Sequence, residues 1–142
     1  MYIPWVGWIF LGLTGQILLR RGDRKSGHDT LRAARGALHD GSSVVIFAEG
    51  TRSVDGRLGD FKIGAFKLAV EEGAAVVPIT ITGTRELTTR GSEFTLGEYR
   101  EVGLTVHEPV HARDGEDAES LRRRVRAVID GGMPLSLRME SM

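Results

Sequence analysis

The sequence predicts an α/β domain, a mainly parallel sheet flanked by helices. Three observations carry that expectation. Short runs of β-branched and apolar residues, Ser43 to Phe47 and Ala75 to Thr82, have the continuous apolar character of strands covered on both faces. Segments of helical period separate them, each closed by a glycine. No internal repeat or low-complexity stretch interrupts the alternation, and strands separated by helices of this length argue for βαβ units.

The elements follow in order. Residues Met1 to Leu19 carry no charge and include Trp5, Val6, Trp8, Ile9, Phe10 and Leu11. A signal peptide would place its basic residues first, whereas Arg20, Arg21, Arg24 and Lys25 come afterwards. A spanning helix would need about twenty predominantly apolar residues. This run is shorter and is broken by Pro4, Gly7, Gly12, Thr14, Gly15 and Gln16. It reads as a short apolar helix whose two Trp sit either in a core or at a membrane interface. Ser26-Gly27-His28-Asp29 resembles a capping box, with Leu31, Ala34 and Leu38 at helical spacing and Gly41 as the stop. Asp60 is placed to cap a second helix whose Ala65, Leu68 and Ala69 face inward and which stops at Gly73. Leu104 to Val110 reads as a further strand, and Leu121, Val125 and Val128 mark a last helix ending at Gly131-Gly132. On that helix Arg122, Arg123, Arg124 and Arg126 read as a solvated face, with a lipid-binding patch as the alternative. Thr84 to Arg100 is a polar loop, and the tail after Met133 has no period. The domain is therefore assigned to residues 1–132 and the tail to 133–142.

Composition limits the chemistry. A chain of 142 residues can bury roughly 70% of its unfolded surface, enough for one core. Nineteen basic residues balance nineteen acidic ones, so the electrostatic footprint expected of a nucleic-acid binder is missing. With no cysteine there is neither a disulfide nor a thiolate metal site. His107 and His111 stand four apart with Pro109 between them and no evident third ligand, so no metal is expected there. Neither Gly-x-x-x-x-Gly-Lys nor Gly-x-Gly-x-x-Gly occurs, which argues against a nucleotide-binding α/β domain.

The chemistry is concentrated in Phe47-Ala48-Glu49-Gly50-Thr51-Arg52-Ser53, directly after Val44-Val45-Ile46. Gly50 permits close backbone approach, Thr51 and Ser53 add hydroxyls, and the planar guanidinium of Arg52 matches two phosphate oxygens. The plainer alternative is an ordinary strand exit carrying a surface arginine. These seven residues resemble the Phe-Pro-Glu-Gly-Thr-Arg-Ser motif of the glycerolipid acyltransferases, the 1-acyl-sn-glycerol-3-phosphate acyltransferase family, with Ala48 in place of proline. Gly15 to Arg21 is similar to that family's Gly-x-Ile-Phe-Ile-Asp-Arg segment, Phe61-Lys62-Ile63-Gly64-Ala65 to its Phe-Lys-x-Gly-Ala helix start, and Val77 to Ile81 to its Val-Pro-Val-x-Ile strand.

The resemblance implies a fatty acyl transfer from acyl-CoA or acyl carrier protein to lysophosphatidic acid, with no cofactor. It also implies a strand at Gln16 to Leu19 and attachment, peripheral or monotopic, to the cytoplasmic face of a membrane. The expected partners are the glycerophosphate acceptor, the acyl thioester and the membrane surface. Ligands of a parallel sheet collect at the carboxyl ends of its strands. Arg21 and Arg52 would converge there on one phosphate, with Lys62 adding charge at a helix N-terminus. Glu49 would accept from the glycerol hydroxyl, orient the arginines, or simply pair with one of them. Gly50 and Thr51 complete this substrate-binding set. The family's catalytic segment, Asn-His-x-x-x-x-Asp, is absent: the residues five places after His28, His39, His107 and His111 are Ala33, Val44, Ala112 and Glu116. No catalytic residue is therefore assigned, and the expectation is an N-terminally incomplete acyltransferase, with a non-catalytic acyl-glycerol-phosphate-binding protein of the membrane surface as the alternative.

Overall fold

The computed structural model describes residues 17, 24–51, 53, 56–84 and 101–134, with the backbone alone at 24–26. The expectations for Trp5, Trp8, Phe10, Arg21 and Arg52, for most of the strand at Gln16 to Leu19 and of the Thr84 to Arg100 loop, and for the tail beyond residue 134 lie outside these residues. The chain divides into two compact units, Met1–Val45 and Ile46–Met142.

In the first unit α1 runs Arg24–His39. Ser26 therefore stands inside the helix, and the capping-box reading is corrected: the helical backbone begins two residues ahead of that serine. The stop is where the sequence places it. Gly41 has φ 79°, its N–H donates to Leu38 O at 3.0 Å, and Ser42 N–H donates to Ala37 O at 2.9 Å. This is a Schellman closure, which needs a residue tolerant of the left-handed region. Ala34 is the buried residue of the α1 stripe.

The second unit holds α2 (Gly64–Glu72), β1 (Ile79–Thr82), β2 (Gly103–Val106) and α3 (Ala118–Gly132). Phe66, Leu68 and Ala69 of α2 are buried, with Ala65 packed at the core's margin. Phe61 and Phe66 stack with ring centroids 6.1 Å apart, and Leu121 and Val125 of α3 close the core against them. Asp60 is not the cap of α2. That position belongs to Ile63, without a side-chain bond, and the Asp60 side chain is fully exposed. Gly64 opens the helix, where the entropic penalty of a mid-helix glycine is not incurred. Gly73 ends it at φ 61° with Ala74 N–H on Ala69 O at 2.9 Å. Helix α3 starts at a true cap: Asp117 Oδ1 accepts the Ser120 N–H at 2.8 Å.

The sheet differs from expectation. Among the described residues it is a single antiparallel pair, with Ile79 opposite Val106 and Ile81 opposite Leu104, prolonged by a bridge between Val76 and Val110. No strand is formed at Ser43 to Phe47, and Val45 and Phe47 are exposed. A β-branched run becomes a strand only where a neighbour completes its ladder, which a single sequence cannot supply. Residues Ile79 to Thr82 read as apolar throughout because threonine counts as β-branched. In the fold they alternate: Thr80 is buried toward α3, whereas Ile79 and Ile81 are more than a third exposed. The hydroxyl of Thr80 donates to Ile129 O at 3.2 Å and lies 2.8 Å from His107 Nε2, so this buried polar atom is satisfied by groups from α3 and the segment after β2. Gly132 fits here because a Cβ would come within 3 Å of both Thr80 Oγ1 and the His107 ring.

Candidate functional site

The apolar run ends in a tight turn. Gly50 N–H donates to Phe47 O at 3.0 Å, and Gly50 sits at φ 67°, a conformation costly to any residue with a side chain. The turn is held from the facing segment, where Lys62 N–H donates to Ala48 O at 2.7 Å. This pairing lays the aliphatic stem of Lys62 across Gly50: a Cβ on that glycine would stand 3.6 Å from Lys62 Cγ and 3.9 Å from Cε. Gly50, Thr51 and Lys62 are exposed, so an ammonium, a bare backbone and a hydroxyl share one accessible edge. Lys62 stands two residues before α2, just outside its N-terminus.

Glu49 is half-buried, and its Oε2 accepts the Gly59 N–H at 2.6 Å. A charge-assisted bond of that length fixes the carboxylate and crosses ten residues of chain, closing the loop on itself. Gly59 must lack a side chain, because a Cβ would come 2.7 Å from that carboxylate oxygen. Within the loop, Ser53 Oγ accepts the Gly56 N–H at 2.9 Å. The structure therefore brings Glu49, Gly50, Thr51 and Lys62 together. Arg21 and Arg52 are outside the described residues.

Sequence reasoning missed the far side of the site. Arg122 and Arg126 do not form a solvated face: Arg122 Nη1 donates to Phe61 O at 2.8 Å, and Arg126 donates to Gly59 O and, at 3.1 Å, to Leu58 O. Arg126 also lies over the Phe61 ring, 5.6 Å from its centroid. Arg124 turns away to Glu116 at 2.6 Å and to His111 O at 3.1 Å. Arg123 is exposed and reaches Ser120 Oγ at 3.1 Å. The signal available in the sequence was the spacing: Arg122 and Arg126 each follow one residue after the buried Leu121 and Val125, so they flank the packed stripe. Backbone N–H and the Arg124 guanidinium hold the Glu116 carboxyl below its usual range, the Arg113 N–H making the largest contribution. The Ser120 N–H does the same for Asp117.

Among the described residues no group of three metal-ligating side chains converges. No helix among them is long and apolar enough to cross a membrane.

Known proteins resemble this chain in sequence and fold. A chloroplastic 1-acyl-sn-glycerol-3-phosphate acyltransferase of Arabidopsis thaliana is 42% identical over 133 residues, covering 94% of this chain and 36% of its own length. A protein of the same enzyme name from Chlamydomonas reinhardtii is 36% identical, over 95% of this chain and 40% of its own. The crystal structure of the 1-acyl-sn-glycerophosphate (LPA) acyltransferase PlsC from Thermotoga maritima superimposes with a TM-score of 0.74 at 35% identity, covering 98% of this chain and 54% of that one. The chain thus spans well under half the length of these two curated relatives. The acyltransferase family model matches residues 1–82, which contain the Glu49 loop and Lys62, and on that match the chain belongs to the acyltransferase family.

Proposed function

We propose that this chain binds the glycerophosphate acceptor of a 1-acyl-sn-glycerol-3-phosphate acyltransferase, the enzyme that places a second fatty acyl chain on lysophosphatidic acid from an acyl thioester. The observation that carries the reading is the turn at Gly50, where a left-handed glycine, the Lys62 stem and the anchored Glu49 define one exposed edge. A phosphate there would meet exposed backbone and an ammonium, while Arg52, two residues on, and Arg21 supply guanidiniums able to make paired bonds to it. With Glu49 held at Oε2 by the Gly59 N–H, its other oxygen would accept from a glycerol hydroxyl. The relatives' names support lysophosphatidic acid as the acceptor. Attachment to a membrane surface, through the apolar segment containing Trp5 and Trp8, belongs to the same reading.

Calorimetric titration with glycerol 3-phosphate and with lysophosphatidic acid tests it. Arg52→Ala should weaken binding by about 1.5 to 3 kcal/mol, the range for a hydrogen bond to a charged group. Arg52→Lys should recover part of that, since a point charge replaces a fork. Unchanged affinity in Arg52→Ala and Arg21→Ala alike would remove the phosphate from this loop. The second reading is a binding protein of the membrane surface without catalysis. Transfer of a labelled acyl group from acyl-CoA to lysophosphatidic acid by this chain alone would exclude it.

A further inference from the structure

The tie between α3 and the Glu49 loop assigns a role to a residue well beyond the matched residues 1–82. We infer that Arg126 is a positioning residue for the acceptor site: its guanidinium holds the Leu58–Gly59 backbone so that the Gly59 N–H fixes the Glu49 carboxylate. The inference rests on the acceptor-binding reading above for its effect on affinity.

The chain of contact is short. Arg126 is fixed at its root by α3, where neighbouring Val125 is buried in the core. One guanidinium face rests over Phe61, itself 4% exposed, which sets the plane of the fork. Its two terminal nitrogens then reach two successive carbonyls, Leu58 O and Gly59 O. Two parallel bonds from one rigid fork fix the orientation of the intervening peptide, which a single donor would leave free to pivot. In the Leu58–Gly59 peptide the N–H is trans to the Leu58 carbonyl and donates to Glu49 Oε2 at 2.6 Å. Asp60 adds little to this arrangement, since its carboxylate is fully exposed and 3.9 Å from Arg126. The loop from Glu49 to Gly59 is thereby pinned at its end by a helix that does not itself reach the anion edge.

A purely structural arginine would change stability alone, so the test separates geometry from folding. Glycerol 3-phosphate affinity and the Gly59 amide resonance are measured for wild type, Arg126→Gln, Arg126→Lys, Glu49→Gln and the Arg126→Gln/Glu49→Gln double variant. Arg124→Gln, which loosens α3 at Glu116 and His111, serves as a stability control. The expected result is an affinity loss of about tenfold in Arg126→Gln, partial rescue by lysine, and no further loss in the double variant. The Gly59 amide should move toward its position in Glu49→Gln, while Arg124→Gln lowers the unfolding midpoint and leaves affinity unchanged. If wild type binds and Arg52→Ala weakens it, yet Arg126→Gln binds as wild type does, the positioning role is overturned and the acceptor reading stands. If wild type itself does not bind, the acceptor reading falls, and the Gly59 amide still decides: an unmoved resonance in Arg126→Gln overturns the tie to Glu49, and a shifted one upholds it.

Discussion

The Glu49 loop and the β1–β2 pair both lean on α3, yet they are held by opposite means. At the loop, α3 contributes guanidiniums to backbone carbonyls, and the loop answers with a carboxylate on an N–H, so position is set by directional bonds. At the sheet, α3 covers one face of β1, burying Thr80, while the other face carries Ile79, Ile81, Leu104 and Val106 partly or largely exposed. A region specified by hydrogen bonds loses geometry before it loses stability, and one specified by burial does the reverse. Substitutions at the two places should therefore separate along those lines.

The largest expected effect falls at the junction of both regions. Leu121, in the first turn of α3, is fully buried in the core it shares with Phe66 and Ala69 of α2. Leu121→Ala should cost about 2 to 5 kcal/mol, the range for removing a leucine side chain from a core that relaxes only partly. Urea unfolding followed by circular dichroism measures it, and a cost under about 1 kcal/mol would show that the core closes elsewhere.

Next comes the buried face of the sheet. Thr80→Val keeps shape but removes the hydroxyl that bridges His107 Nε2 and Ile129 O. Leaving buried partners unsatisfied should cost about 1 to 3 kcal/mol. Thr80→Ser, which keeps the oxygen, should cost less than the valine. The reverse order would mean that the methyl, not the bridge, holds the strand to α3.

These two sites also show what could be read in advance. Leu121 and Val125 were legible because helical period alone marks a buried stripe, and Gly41 and Gly73 because a left-handed helix end nearly demands glycine. Thr80 misled because its β-branched character was read as apolar, while its pairing with His107 joins residues 27 apart. Lys62, Glu49 and Gly50 were legible as a motif. Gly59 and Arg126 were not, since their bond spans 67 positions and no local period announces it.

A smaller, pH-dependent effect belongs to the start of α3. Glu116 and Asp117 accept backbone N–H groups that lower both carboxyls below their ordinary range. Protonation is thus harder in the folded than in the unfolded chain. Their contribution is present above the unfolded carboxylate range of about 4 and is lost as pH falls through the lowered folded values. The urea midpoint of wild type should therefore drop on acidification below about pH 4, and part of that drop should vanish in Asp117→Asn, which caps without titrating. Identical acid slopes in the two chains would assign the acid sensitivity to other carboxylates.

The smallest effect is expected on the sheet face away from α3, and it sharpens the comparison most. Leu104 is 62% exposed and lies opposite Ile81 in the antiparallel register. Its burial is slight, so Leu104→Thr loses little transfer free energy. Threonine introduces a β-branched shape that suits a strand, and the cross-strand contact with Ile81 is the principal loss. Such pairs contribute roughly 0.2 to 1 kcal/mol, so the variant should fall within about 1 kcal/mol of wild type. The comparison with Leu121→Ala then measures how unequal the two faces of the β1–α3 layer are. A loss as large as that of Leu121→Ala would mean that this face is packed in solution rather than open to water, and the contrast between a buried threonine face and an exposed isoleucine face would have to be abandoned.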